Sequence, residues 1–273
     1  MKIGVVGSSG VLGGVISEFF SLRGFDVIQF SRHKNSRDMY FNVLDLESNI
    51  SFAEIDLIVY CSWSTTDRSQ KNQRAHANAV GHWAEYAKRQ KCKFVFLSSV
   101  LAQENTKSNY GKYKYLAETL VTQSGGKSVR LGLVADDAFE LLLTKIRRVD
   151  RKTGIVHKFC DFKIYAISTA TLNNCLLEMT GKWPTGAVFW VAPTRAESLM
   201  RLIRPNGTTH VAKYSLFRLL PRMVAKFPTT RGKLGSYIDG VKGVLGQNVD
   251  PSKQSLVMPI VIDDFDWKLN LYL

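Results

Sequence analysis

Acidic side chains are scarce in this sequence: 23 Asp and Glu stand against 37 Lys and Arg, a formal charge of +14 at pH 7. Cysteine is scarcer still. Cys61, Cys92, Cys160 and Cys175 are scattered without any C-x-x-C pair, which argues against a disulfide framework and predicts reduced, mostly buried thiols. The five histidines, His33, His76, His82, His157 and His210, lack metal-ligand spacing, so no metal is expected. No apolar run is long enough to cross a bilayer, and Met1 leads directly into an apolar strand, leaving no room for a signal peptide. A cytoplasmic protein is the expectation. Helix-turn-helix, RNP and zinc-finger patterns are also missing, and no nucleic-acid partner is expected.

The chain has 273 residues, 45% of them hydrophobic and 22% charged, the composition of an ordinary globular protein with a sizeable core. Its first fourteen residues organise the rest. Ile3, Val5 and Val6 read as a buried strand, Gly7, Gly10 and Gly13 follow at three-residue intervals, and Val11, Leu12, Val15, Ile16, Phe19 and Phe20 are apolar at helical spacing. A strand, a glycine turn and a helix N-terminus form a cradle for a pyrophosphate: Gly7 for the turn, Gly10 for close approach of the backbone, Gly13 for helix packing.

A second strand, Phe25 to Phe30, ends at Ser31-Arg32. An acid at this place suits the free ribose hydroxyl of NAD, and an arginine suits the 2′-phosphate of NADP. The acid is missing here. Arg32, helped by Ser31 and by Lys34 or Arg37, predicts NADP, with NAD the lesser candidate.

Strands near Met39 to Val43, Asp56 to Tyr60 and Lys93 to Leu97 follow, with a long helix from Ser69 to Gln90 and a strand end at Ser98-Ser99. Strands alternating with helices predict a doubly wound, parallel α/β sheet, Rossmann-like, with ligands at the carboxyl ends of its strands. Further on, Tyr110 and Lys114 lie one helical turn apart and project from one face. An ammonium beside a phenol lowers the tyrosine pKa toward the working pH, and Ser99 is placed to share a substrate oxygen.

In this order the glycine turn, Asp45, Asn78-Ala-Val-Gly81, Ser98-Ser99 and Tyr110-x-x-x-Lys114 resemble the short-chain dehydrogenase/reductase superfamily, most closely its extended branch of nucleotide-sugar epimerases, dehydratases and reductases. Ala117-Glu118 and Arg130-x-Gly132 are similar to that branch as well. The resemblance implies a catalytic Ser99, Tyr110 and Lys114, with Lys114 also on the nicotinamide ribose, Asn78 supporting Lys114 through a water, and Asp45 at the adenine. The cofactor-contacting set that the resemblance implies, together with the glycine turn and the strand ends, is Gly7, Ser8, Ser9, Gly10, Val11, Leu12, Gly13, Ser31, Arg32, Asp45, Leu46, Cys61, Ser62, Asn78, Tyr110, Lys114, Leu133 and Val134.

The resemblance is firm to Val134 and fainter beyond. Residues 1–135 read as the dinucleotide-binding domain, with 154–180 returning to it, and 136–273 as mainly a substrate-binding region. Expected elements are a strand from Ser128 to Val134, helices near Ala138 to Val149 and Leu172 to Met179, a return to the sheet around Phe162 to Ile167, a strand from Gly186 to Val191, and a capping box at Thr194-x-x-Glu197. From Arg201 to Lys242 nine Lys or Arg face one acid, Asp239. Within it, Arg218, Arg222 and Lys226 form the basic side of an amphipathic helix: an ordinary surface helix, a membrane-docking face, or a cationic wall for substrate phosphates. These readings converge on an NADP-dependent reductase acting on a keto group of an anionic nucleotide sugar. An epimerase or dehydratase retaining NAD(P) is the nearest alternative, an NADP-sensing regulatory protein on the same fold the next. A homodimer is compatible with all three.

Overall fold

The computed structural model describes residues 1–32, 38–40, 54–65, 67–106, 108–135, 163–164, 166–192, 197–198 and 257–261. The chain builds β1 (Lys2–Val6), α1 (Val11–Leu22), β2 (Asp26–Ser31), β3 (Asp38–Tyr40), β4 (Leu57–Tyr60), α2 (Gln70–Arg89), β5 (Lys93–Ser99), α3 (Asn109–Gln123), β6 (Lys127–Leu131), β7 (Leu133–Ala135), β8 (Lys163–Ile164), β9 (Ala166–Ser168), α4 (Thr169–Gly181), β10 (Val188–Ala192), β11 (Glu197–Ser198) and β12 (Val257–Val261). Eight strands form one parallel sheet in the order β12-β10-β6-β5-β4-β1-β2-β3. The order reverses between β1 and β4, the switch point at which doubly wound sheets open a crevice for ligands.

Both faces of the sheet are covered, and the period-2 alternation of the strands decides which side chain goes where. Ile58 and Tyr60 of β4 with Phe94 and Phe96 of β5 meet Val80, Trp83, Ala117 and Val121 of α2 and α3. Leu57, Val59, Val95 and Leu97, the residues between, meet Ile16 and Phe20 of α1 and Leu172, Leu176 and Met179 of α4. Fully burying one such side chain stabilises the fold by about 1.5 to 3 kcal/mol. Three of the helices start on a serine whose hydroxyl accepts a backbone N–H of the first turn: Ser69 from Asn72, Ser108 from Gly111 and Ser168 from Thr171. The fourth, α1, starts on Gly10 with no side-chain cap.

The second half departs from the sequence reading in four places. The strand expected from Ser128 to Val134 breaks at Gly132, and β7 leaves the main sheet to pair with β9. The return expected around Phe162 to Ile167 is made by a helix: β8 and β9 stay in two small sheets, while α4 packs on the main one. Glu197 lies in β11, paired antiparallel with β8, and not in the first turn of a helix. The sheet also gains β12, whose Pro259 fits an edge strand because an edge leaves one row of N–H groups unpaired. Among the described residues no helix is long and apolar enough to cross a membrane. Lys34, Arg37, Asp45, Leu46, Cys160, the expected helix at Ala138 to Val149, Thr194 and the basic segment 201–242 lie outside the described residues.

Candidate active site

At the switch point the glycine turn is clamped to its neighbours by backbone. Gly7 and Ser8 donate their N–H groups to the Phe30 carbonyl at 2.8 and 3.2 Å, and the Ser8 hydroxyl donates to the same oxygen at 3.2 Å. Gly7 has φ +90°, and a Cβ there would stand 2.9 Å from the backbone of Ser62. A Cβ on Gly13 would run into the Gly7 carbonyl. Any other residue at either place would push the turn off β4 or α1 off the turn, so α1 keeps its uncapped N-terminal N–H groups directed past the strand ends. Val11 and Ser9 are exposed beside it, Leu12 and Cys61 are half-buried, and Ser31 is buried while Arg32 is exposed at the end of β2. Val134 is half-buried in β7, next to Leu133.

The second corner of the cleft is made by β5 and α3. Gly111 lets them meet: a Cβ there would run into the Leu101 carbonyl and lie 3.0 Å from Thr106. The Ser99 hydroxyl accepts the Leu101 N–H at 3.2 Å and lies close enough to the Tyr110 side chain to favour its ionised form. Lys114, one turn along α3, is buried and donates from Nζ to the Leu97 carbonyl at 2.6 Å. Its ammonium lies 4.4 Å from the ring centroids of both Trp63 and Phe96 and 5.8 Å from that of Tyr110. The structure thus brings Ser99, Tyr110 and Lys114 together, and Trp63 follows directly on the Ser62 that meets Gly7.

Burial dominates the electrostatics of this corner. It raises the Tyr110 pKa above the ordinary phenol value, opposed by the Arg68 guanidinium and the Ser99 hydroxyl. The expectation that Lys114 lowers Tyr110 is therefore corrected: desolvation of the phenolate outweighs its charged neighbours, and the cation that opposes it is Arg68, 5.1 Å from the ring centroid. Burial also brings Lys114 down to about 7, against Glu118 and Cys61. The Cys61, Cys92 and Cys175 thiols are free, and burial pushes each up to about 12, so they are unreactive at neutral pH.

Asn78 needs a second correction. It lies on the exposed stripe of α2 with Arg74 and His82, and the inward polar residues of that helix are Gln73 and His76. Gln73 accepts the Trp63 indole N–H at 2.7 Å and donates to the Ser64 and Asp67 carbonyls at 3.0 and 2.6 Å, and His76 stacks on Trp63 with ring centroids 5.5 Å apart. Trp63, Arg68, Gln73, His76 and Gly111 escaped the sequence reading. Only Gly111, between the tyrosine and the lysine, left a local trace.

A glycine cradle at the switch point and a serine, tyrosine and lysine at the neighbouring strand end define a dinucleotide-binding α/β fold. No family model matches the sequence, and no curated protein matches it. Solved structures of the same fold include a nucleoside-diphosphate-sugar epimerase from Staphylococcus aureus, 17% identical over 91% of this chain and 92% of that one, with TM-score 0.64. The Bordetella bronchiseptica enzyme WbmH, in complex with NAD+, is 14% identical over 77% and 84%, with TM-score 0.61. The dTDP-4-dehydrorhamnose reductase of Bacillus anthracis, in complex with NADP, is 15% identical over 77% and 83%, with TM-score 0.58.

Proposed function

We propose that this chain is an NADP-dependent oxidoreductase that reduces a keto group on a nucleotide-activated sugar. The observation that carries the reading is the meeting of Ser99, Tyr110 and Lys114 beside the Gly7–Gly13 turn, where the sheet reverses its strand order. The residues present fit a dinucleotide: a cradle that a Cβ would fill, a helix N-terminus without a side-chain cap, and an exposed Arg32 beside the turn. When bound, the dinucleotide supplies two-electron redox exchange with the substrate carbon. Tyr110 keeps its proton at neutral pH because its pKa is raised, and so it can act as the acid that protonates the substrate oxygen. Ser99, its hydroxyl oriented by the Leu101 N–H, polarises that oxygen, and Lys114 holds the nicotinamide ribose. Residues 136–273 are the part of the chain this reading assigns mainly to substrate binding.

The nucleotide sugar rests on the fold shared with the sugar-nucleotide epimerases and the dTDP-4-dehydrorhamnose reductase. The epimerases also favour a second reading, a redox-neutral enzyme that keeps its cofactor. A panel of UDP- and dTDP-linked sugars and 4-keto sugars incubated with NADPH decides between them. Stoichiometric loss of NADPH absorbance supports the reductase. Interconversion of sugars without net loss supports the epimerase, and no turnover with any member, despite tight NADPH binding, overturns both.

A further inference from the structure

Behind the catalytic corner lies an ion pair that the proposed chemistry does not use. Glu118 is on α3, one turn beyond Lys114, and Arg130 is on β6; both are buried. The Arg130 guanidinium donates from Nε to the two Glu118 carboxylate oxygens at 2.9 and 3.1 Å and from Nη2 to one of them at 2.6 Å. In the sheet Arg130 is the register partner of Ser98, the residue after the Leu97 whose carbonyl accepts Lys114. Two cations and one carboxylate thus occupy adjacent places on β5, β6 and α3, all removed from water.

A purely structural ion pair would be an expensive way to join α3 to β6. Apolar residues of similar volume often do as well, because desolvating both charges offsets their attraction. The carboxylate has a second cation within reach of its field: Lys114 lies one turn back on the same helix, and Glu118 favours its charged form without a direct ion pair. The other groups facing Lys114 give it little support. Cys61 at the end of β4 holds its proton, His76 on α2 is neutral, Tyr110 on α3 is a protonated phenol, and Arg68 beyond it is a cation. Among the described residues, Glu118 is the carboxylate that acts on Lys114.

We propose that Glu118 and Arg130 are positioning residues for Lys114: the guanidinium keeps the buried carboxylate ionised, and the carboxylate keeps the Lys114 ammonium charged beneath the cleft. Burial brings Lys114 down with Glu118 acting in the opposite direction, and burial raises the Glu118 carboxyl with Arg130 acting against it, the same division of labour at both groups. The role rests on the reading that Lys114 serves the nicotinamide ribose, but the coupling itself can be measured without any cofactor.

The experiment is a pH titration of the Lys114 side chain by NMR in 13C-lysine-labelled protein, its signal assigned from the Lys114→Met spectrum. Glu118→Gln should move the titration down by about one pH unit or more, since a nearby opposite charge is worth about that much. Glu118→Gln with Arg130→Met should give an intermediate downward shift while recovering much of the thermal stability lost in the single variant. That dissociation separates the role from structure: the stability returns and the titration does not. Because the double variant removes both charges together, it carries the test even if the single variant fails to fold. A double variant in which Lys114 titrates as in the parent protein overturns the proposal. NADPH affinity followed against pH is a separate arm. If the NMR shift occurs and NADPH binding shows no matching shift, the coupling stands and the assignment of Lys114 to the ribose falls.

Discussion

The cleft has two corners of unlike construction. The glycine turn is held by backbone: Gly7 and Ser8 on the Phe30 carbonyl, Gly10 on Gly7, Gly7 against Ser62, with side chains excluded by contact. The corner at Tyr110 and Lys114 is held by side chains from four elements: Lys114 between Trp63 and Phe96, Trp63 held by Gln73 and covered by His76, Tyr110 between Ser99 and Arg68. A backbone corner ending at an uncapped helix N-terminus presents N–H groups, whatever the side chains around it. A side-chain corner sets protonation states, and here burial sets them more than charge does.

The comparison is broken most directly at Tyr110. Tyr110→Phe removes the acidic proton and leaves the ring between Trp63 and Arg68. Turnover should fall by about 10² to 10⁴ while NADPH affinity stays near that of the parent, because the two corners are separate constructions. Parallel stopped-flow and fluorescence titration give both quantities. An equal loss in both would show that the corners are one unit.

His76 sharpens the claim that burial governs the side-chain corner. Its Nδ1 is buried without a partner, and desolvation first, then Lys114 and Arg32, brings its pKa down from 6.5 to about 4. Between those values the unfolded chain binds a proton that the fold excludes, so stability is kept above pH 6.5 and lost as pH falls toward 4. The loss should be on the order of 3 kcal/mol. His76→Phe, which keeps a ring on Trp63, should flatten that part of the pH–stability curve in urea melts; an unchanged slope would remove His76 from the account.

Gly7→Ala tests the backbone corner in the same terms. A side chain at φ +90° with backbone 2.9 Å from its Cβ should cost about 1 to 3 kcal/mol in thermal stability. Dinucleotide affinity should fall along with it, and the titration behaviour of His76 should not change.

The two corners also differ in how much of each could be read from the chain. Gly7, Gly10 and Gly13 after an apolar strand announce a backbone construction, since glycine is the mark of a place where only backbone fits. The order of strands and helices was equally legible through β5 and α3, because each strand is a short apolar run and each helix has its own periodicity. Tyr110 and Lys114 were visible as a spacing, but their protonation was not. It depends on burial at the packed corner and on charged neighbours, Arg68 from a loop some forty residues earlier for Tyr110 and Glu118 for Lys114. Asn78 shows the limit well: it stands near the motif in sequence, yet a helix turns 100° per residue, and His76 two places earlier faces inward in its stead. The edge strand β12 was hidden because a proline in an apolar run reads against a strand, and only its place at the sheet's border makes it acceptable.

Arg32 joins the two corners, and its removal should have the smallest effect and the most specific one. It lies at the end of β2, directly after a strand whose Phe30 carbonyl anchors the glycine turn, so the phosphate cradle and the arginine are held by one piece of backbone. It is exposed, and no acid stands at that strand end to bind the free ribose hydroxyl of NAD. A guanidinium there can meet a 2′-phosphate with two parallel hydrogen bonds. Arg32→Ala should weaken NADPH binding about tenfold, or ~1.4 kcal/mol, and leave NADH binding almost unchanged, since NADH carries no group for Arg32 to hold. The contrast between cofactors is the informative quantity. Calorimetric titrations of both should give a loss confined to NADPH, steeper at low salt because the contact is exposed. Equal losses for the two would mean that Arg32 acts on the shared pyrophosphate, and the preference for NADP would then have no residue among the described ones to support it.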